Sequence, residues 1–290
     1  AVTANPKPDE WMGKNWACME GYKKASGELL LFTDADTIHS KNIISLTASH
    51  LLSCNLDALT AIPRLNMNNV WPKISFNMLS CMTQAQYSPL QLNDPSKKVG
   101  IFFGSFFMLY RKVYEAIGTH ESVKSDVVED GLLGQKTKDM KYKLKIVRGE
   151  HLIQASYGSD GSVWDGLNRV IIPTFFKQRK FVIGMFMMTF LLLLFPFLNL
   201  GYSSLFILDS LSFQTLFVSS IMTTFLIFLS AIIHAKKLFA LKTIHGLLAP
   251  IGSTILIFDV INGMIQAIQN PKVVWKKRSI TVGNRIGDEK

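Results

Sequence analysis

Ionisable side chains are scarce at the C-terminal end of the chain: only 4 of the 21 Asp and Glu and 9 of the 31 Lys and Arg lie beyond Lys180. That scarcity excludes a wholly soluble enzyme, and the 48 % hydrophobic content excludes a disordered tail. Cysteine is also rare. Cys18, Cys54 and Cys81 are odd in number and lack metal-ligand spacing. This excludes a disulfide scaffold and reads as reduced thiols of a cytoplasm-facing domain. Internal repeats and low-complexity tracts are missing as well, so a solenoid is excluded. The first residue is Ala and the pattern after it begins in mid-course, so a piece lacking its N-terminus is expected.

What is present beyond Lys180 is apolar. Phe181 to Leu200 carries no charge and matches the roughly 20 residues a helix needs to cross hydrocarbon. A second stretch runs over 205–233 and meets the basic loop Lys236, Lys237, Lys242. Lys177, Arg179 and Lys180 precede the first span, so both basic flanks fall on one side and the soluble part is expected in the cytoplasm. The third stretch, 247–268, contains Pro250, Gly252, Asp259 and Gly263 and leads into a basic tail over 271–290. A full crossing would put that tail outside, so a broken, re-entrant segment is the favoured reading. Asp209 and Asp259 are intramembrane carboxylates. They are either functional or, more simply, an interfacial residue and a helix-to-helix hydrogen-bonding residue.

The first 160 residues alternate strands with helices, which implies an α/β sheet with helices packed on it. The pattern predicts a helix over 15–25, a buried strand over 29–32, a helix over 41–53 behind Ser40, and a strand over 57–62. Further on it predicts a helix over 72–86, a strand over 101–109, a short helix ending at Gly118 and a helix from Glu129. Residues 161–180 read as an interfacial helix. Over 136–148 there are six Lys or Arg against one acid, which suits either anionic headgroups or a plain exposed surface.

Strand 29–32 ends on Thr33-Asp34-Ala35-Asp36. In open α/β sheets ligands bind at that strand edge, and on an extended chain Asp34 and Asp36 would point to one side. Two hard oxygen donors there suit Mg²⁺ or Mn²⁺ with room left for substrate phosphates. Loop carboxylates capping the next helix are the competing reading.

The string Trp11-x-Gly13-Lys14-x-Trp16-Ala17, then Gly21, then Ala25-x-Gly27-Glu28-x-Leu30-x-Phe32-x-Asp34-Ala35-Asp36 carries more information than any part of it. Together with Phe103-Gly104-Ser105-Phe106, Arg111, Tyr114 to His120 and Val128-Glu129-Asp130 it resembles the family 2 glycosyltransferases of GT-A fold, over roughly Trp11 to Arg148. The resemblance implies a nucleotide-diphospho-sugar transferase domain of Rossmann-like α/β class, incomplete at its N-terminus and followed by transmembrane helices. It implies Asp130 as catalytic base, Gly104 in acceptor-side structure, and Lys14 as a cation near the donor. The chemistry agrees: a carboxylate removes the acceptor's hydroxyl proton, while a divalent cation and a basic side chain stabilise the departing diphosphate. Glu129 either raises the pKa of Asp130 or binds acceptor. First-turn carboxylates at a helix N-terminus are the structural alternative for this pair, and a surface lysine is the alternative for Lys14.

Many membrane members carry Gln-x-x-Arg-Trp after the base, and this sequence does not. The nearest segment, Trp164 to Arg169, makes Trp164 and Arg169 acceptor-side candidates, although an indole at headgroup level explains Trp164 equally. Lack of the motif argues against a processive polysaccharide synthase and for single transfer to a membrane lipid, as in the branch with ceramide, hopanoid and carotenoid glycosyltransferases. Trp275-Lys276-Lys277-Arg278 resembles that branch's W-K-G-R with Lys277 in place of Gly. His120 and His151 are assigned no role. The expectation is therefore an inverting, metal-dependent transferase with a nucleotide diphosphate sugar donor, a lipid acceptor and no nucleic-acid partner. A metal-dependent lipid phospho-transferase and an inactive membrane scaffold are the rivals.

Overall fold

The computed structural model describes residues 2–67, 69–86, 88–157, 163–269, 272–275 and 278–281; Gln86, Ser156, Tyr157, 163–165, Arg169, Lys177 and the last two stretches are described by backbone alone. The chain packs as two units, Ala1–Asn66 with Gln86–Ser156, and Met67–Ala85 with Tyr157–Lys290. The elements of the first unit and of the helix that interrupts it are α1 (Gly13–Lys24), β1 (Leu29–Phe32), β2 (Thr37–His39), α2 (Ile43–Ser53), β3 (Ala58–Ile62), β4 (Arg64–Met67), α3 (Val70–Gln86), α4 (Pro89–Asn93), β5 (Phe107–Tyr110), α5 (Arg111–Ala116), α6 (Glu129–Asp139), β6 (Leu144–Arg148) and β7 (Ile153–Tyr157). All of α3 but its last residue groups with the second unit.

A four-stranded sheet in the order β1-β5-β3-β6 organises the first unit, with β5 antiparallel to both neighbours and β3 parallel to β6. Side chains alternate across it. On one face Leu30, Phe107 and Leu109 pack with Phe102, Tyr114 and Leu133. On the other Leu59, Ala61, Phe106 and Met108 pack with Ile43 and Leu51 of α2. Burial on both faces is why β1 and β3 read as apolar runs. The outer edge of β6 is closed by Asn93, whose amide accepts from Ile146 N–H at 2.7 Å and donates to Ile146 C=O at 2.9 Å. A second sheet, β2-β7-β4, carries the chain onward from the end of β1.

Three local expectations change. The predicted strand over 101–109 forms only from Phe107, because Phe106 N–H turns back to Phe103 C=O at 2.9 Å and Phe103 N–H goes to the Thr60 hydroxyl at 2.8 Å. Beyond Phe32 the backbone is not extended: Ala35 and Asp36 form a turn in which Thr37 bonds to Asp34 C=O, so the alternation expected to align Asp34 with Asp36 is lost. In α1 the buried residues are Asn15 and Glu20 rather than an apolar stripe. Asn15 docks the helix through hydrogen bonds from its amide to the carbonyls of Val123, Lys124 and Asp126 at 2.8, 3.2 and 3.0 Å.

The second unit adds α7 (Val163–Lys177), α8 (Arg179–Thr189), α9 (Phe195–Leu205), α10 (Leu211–Lys237), α11 (Thr243–Leu247), α12 (Ala249–Gln269) and a hairpin of β8 (Lys272–Trp275) and β9 (Arg278–Thr281). A π-turn, Phe190–Leu194, joins α8 to α9. Pro196 accounts for it: without an N–H it cannot bond one turn back, and the ladder widens so that Phe195 N–H meets Phe190 C=O. Among the described residues three helices are long and apolar enough to cross a membrane: Arg179–Leu205, Leu211–Lys237 and Ala249–Gln269. The second starts at Leu211 behind the N-cap Ser210, which leaves Asp209 exposed in the preceding turn. The third is unbroken over 21 residues. Its Pro250 lies in the first turn, where a backbone N–H has no helical partner in any case, so the N–H that proline lacks costs no bond and the predicted break does not form. Small residues set the spacing: a Cβ on Gly252 would stand 2.8 Å from Ile74 C=O of α3, and one on Gly263 2.9 Å from Ile171 of α7. Asp259 is fully buried on α12, with no hydrogen-bond partner for either oxygen among the described residues.

Candidate functional site

Four chain segments of the first unit meet around Lys14. This residue is the second of α1, and α1 is fixed by the Asn15 clamp and by Met12 N–H to Lys124 C=O at 2.7 Å. Asp34 follows β1, whose pairing with β5 (Phe32 opposite Phe107) brings it beside the turn containing Gly104. The Thr33 hydroxyl ties strand end to turn by donating to Ser105 C=O at 2.9 Å. Glu129 and Asp130 open α6, where their charge complements the helix N-terminus.

Lys14 Nζ lies 2.8 Å from Asp34 Oδ1 and 2.7 Å from Glu129 Oε1. Glu129 is buried, whereas Lys14 and Asp34 each keep about a third of their side-chain surface open. Asp130 is oriented by two backbone donors, Gly104 N–H to Oδ2 at 2.7 Å and Gly131 N–H to Oδ1 at 2.8 Å. A Cβ at position 104 would stand 2.8 Å from both Asp130 Oδ2 and Lys14 Nζ, so those side-chain ends would have to shift to admit it. Burial disfavours the charge of Lys14, but Glu129, Asp34 and Asp130 outweigh it and hold its pKa above the ordinary lysine value. For Glu129 and Asp130 burial dominates and raises both carboxyls, against the opposing pull of Lys14. Such a pair of carboxyls, one anchored by backbone donors and raised in basicity, is suited to accept a proton from a bound hydroxyl.

The expected site residues do not all converge. Lys14, Asp34, Gly104, Glu129 and Asp130 form one cluster. Asp36 is exposed in the turn beyond Asp34, with no hydrogen bond or ion pair to another described residue. Among the described residues no three His, Cys, Asp or Glu side chains converge on a metal position. The carboxylates nearest to such a position are Asp34, which is engaged by Lys14, and Asp36 in the turn beyond it; both are oxygen donors of the kind a hard cation such as Mg²⁺ or Mn²⁺ takes. Trp164 and Arg169 fall on α7 of the second unit, and their side chains lie outside those described. Of the tail motif, Trp275 is in backbone register with Arg278 in the β8–β9 pairing, while Lys276 and Lys277 lie outside the described residues.

Several residues that hold the site carry no signal in the sequence. Asn15 sits beside Lys14 and reads as an ordinary helix residue, and Thr60 lies inside an apolar strand. The Thr60 hydroxyl accepts from Phe103 N–H and donates to Phe106 C=O, which shapes the Gly104 turn. Arg111, one of the motif residues, is structural: its guanidinium donates to Gly27 C=O at 3.0 Å and Ala25 C=O at 2.7 Å. His120 is buried against Tyr114, its Nδ1 2.6 Å from the hydroxyl, and burial with nearby Lys14 lowers its pKa to about 3. It is a neutral packing residue.

The family model described as "Glycosyl transferase family 2" matches residues 6–118. No curated protein matches the chain. Among solved structures the chain is similar to "Crystal structure of S. aureus TarS 1-349 in complex with UDP-GlcNAc", at 12 % identity and a TM-score of 0.36, covering 98 % of this chain and 81 % of that one. The matched segment contains Lys14, Asp34, Asp36 and Gly104 and stops before Glu129. Residues 6–118 are a glycosyl transferase family 2 domain, the domain of a glycosyltransferase.

Proposed function

We infer that this glycosyltransferase moves one sugar, with inversion, from a nucleotide diphosphate sugar to a hydroxyl of a membrane lipid. The observation that carries the reading is the cluster in which Lys14 links Asp34 to Glu129 while Gly104 N–H aims the carboxylate of Asp130. Asp130 is assigned the base. It takes the proton of the acceptor hydroxyl as the oxygen bonds to the anomeric carbon, and the nucleoside diphosphate leaves with the electron pair of the broken bond. Lys14, half-open beside Asp34, contributes positive charge to the phosphates, and Glu129 holds Lys14 in place. Asp34 and Asp36 are assigned to hold Mg²⁺ or Mn²⁺, which when bound offsets charge on the diphosphate.

The acceptor is assigned from the membrane helices that share the chain with this domain. The basic flanks at Lys177–Lys180 and Lys236–Lys242 support a cytoplasmic side for the transferase domain under the positive-inside rule. The test is an incubation of membranes containing the protein with a panel of nucleotide sugars and a lipid extract, measuring nucleoside diphosphate release. Release that needs both donor and lipid, and stops in EDTA, is expected. Undiminished release in EDTA would remove the metal, and a phosphorylated lipid without nucleoside diphosphate would turn the assignment to a lipid phospho-transferase.

A further inference from the structure

Helix α2 lacks the charge that a surface helix normally carries. Its stripe Ile43, Thr47 and Leu51 is buried on the sheet. The rest of its circumference is Ser45, Ser49 and Ser53 with Ile44, Leu46 and Leu52, each of these three apolar side chains at least half exposed, beside the partly buried Ala48 and His50. From Asn42 to Leu56 there is no Asp, Glu, Lys or Arg, and exposed Lys41 stands immediately ahead. Ile38, on the strand leading into α2, is 62 % exposed. None of these exposed residues belongs to a described core cluster.

We propose that the outward face of α2 rests in the headgroup and upper acyl region of a lipid bilayer. A bilayer is favoured over a soluble partner by covalent connection. The unit carrying α2 is joined to the unit carrying the three membrane-length helices at 66/67, 85/86 and 156/157, so a bilayer is held at high local concentration. The chemistry also matches: uncharged hydroxyls suit the hydrated headgroup layer, Ile and Leu the acyl boundary, and Lys41 an anionic headgroup. Asp36 is seven residues before the first residue of α2, and Ser40 N–H is held to Leu152 C=O at 2.8 Å. A seated α2 therefore brings the segment bearing the proposed metal carboxylates to the surface where a lipid hydroxyl is found. The proposal rests on the membrane helices and not on the reaction.

The test uses the full chain in nanodiscs of phosphatidylcholine and phosphatidylglycerol, with Cys54→Ser removing the exposed native thiol. An environment-sensitive NBD label is attached through Leu52→Cys or Ile44→Cys on α2, or through Lys97→Cys on an exposed loop as control, and peptide mapping confirms the position labelled. The expected result is blue-shifted emission at 52 and 44 that is lost when lipids bear nitroxide on the acyl chain, with no such loss at 97. Unquenched emission at both α2 positions would overturn the proposal, as would equal quenching at 97. Blue-shifted emission that acyl nitroxides leave intact would also overturn it and would indicate a protein partner or a second copy. Quenching is read without sugar transfer, so failure here leaves the assigned reaction intact, and failure of the reaction leaves this reading intact.

Discussion

Lys14 is the cation that opposes the effect of burial on Glu129 and Asp130. Burial raises the carboxyls of Glu129 and Asp130 and Lys14 pulls them back. A base works only when ionised, so activity is lost as pH falls through its pKa. The acid limb of the pH–rate profile is therefore expected above the ordinary carboxylate range. In Lys14→Met the opposing pull is gone, both carboxyls rise further, and the limb moves to still higher pH; an unmoved limb would detach Lys14 from the base. Gly104→Ala keeps the N–H donated to Asp130 but inserts a Cβ 2.8 Å from Asp130 Oδ2 and Lys14 Nζ. Transfer is expected to collapse while the melting temperature changes little, because the crowding falls on the ends of polar side chains and not on the apolar core. Lys14, Asp34, Gly104 and Asp130 were legible as motif letters. Their mutual distances were not, because Asn15, Thr33 and Thr60 set them through hydrogen bonds that leave no trace in hydropathy.

At the scale of elements, apolar runs located β1, β3 and the membrane-length helices, since burial of both faces of a strand or of a whole helix leaves a continuous signature. Elements whose ends depend on one polar contact were missed. Residues 101–106 look like strand but turn, since Thr60 offers Phe103 N–H a different acceptor. Pro250 looks like a break but sits harmlessly in the first turn of α12, whereas Pro196 does disturb its helix and produces the π-turn. The edge of β6 supplies a stability test. Asn93→Ala would leave Ile146 N–H and C=O without their side-chain partner, at a cost of about 1–3 kcal/mol in denaturant unfolding. In the second unit Gly252→Ala pushes a methyl group against the backbone of Ile74 and is expected to lower detergent-solution thermostability.

For the molecule as a whole, the drop in charge beyond Lys180 announced a membrane part, and three helices of sufficient length and apolarity lie there. The drop did not show that residues 67–85 leave the transferase part and group with those helices, because α3, with 17 residues and polar side chains along its length, does not read as a membrane span. Nor could composition single out α2, where the signal is an absence of charge on an exposed helix. The central claim is that the cluster around Asp130 transfers a sugar to a membrane lipid. Mass spectrometry of lipids from cells producing the protein, beside cells producing Asp130→Asn at equal level, tests it most directly. A glycolipid present with the unaltered protein and reduced by about 10²- to 10⁴-fold with Asp130→Asn is the predicted result. The same glycolipid at undiminished level with Asp130→Asn, or no new glycolipid in either cell, would contradict it.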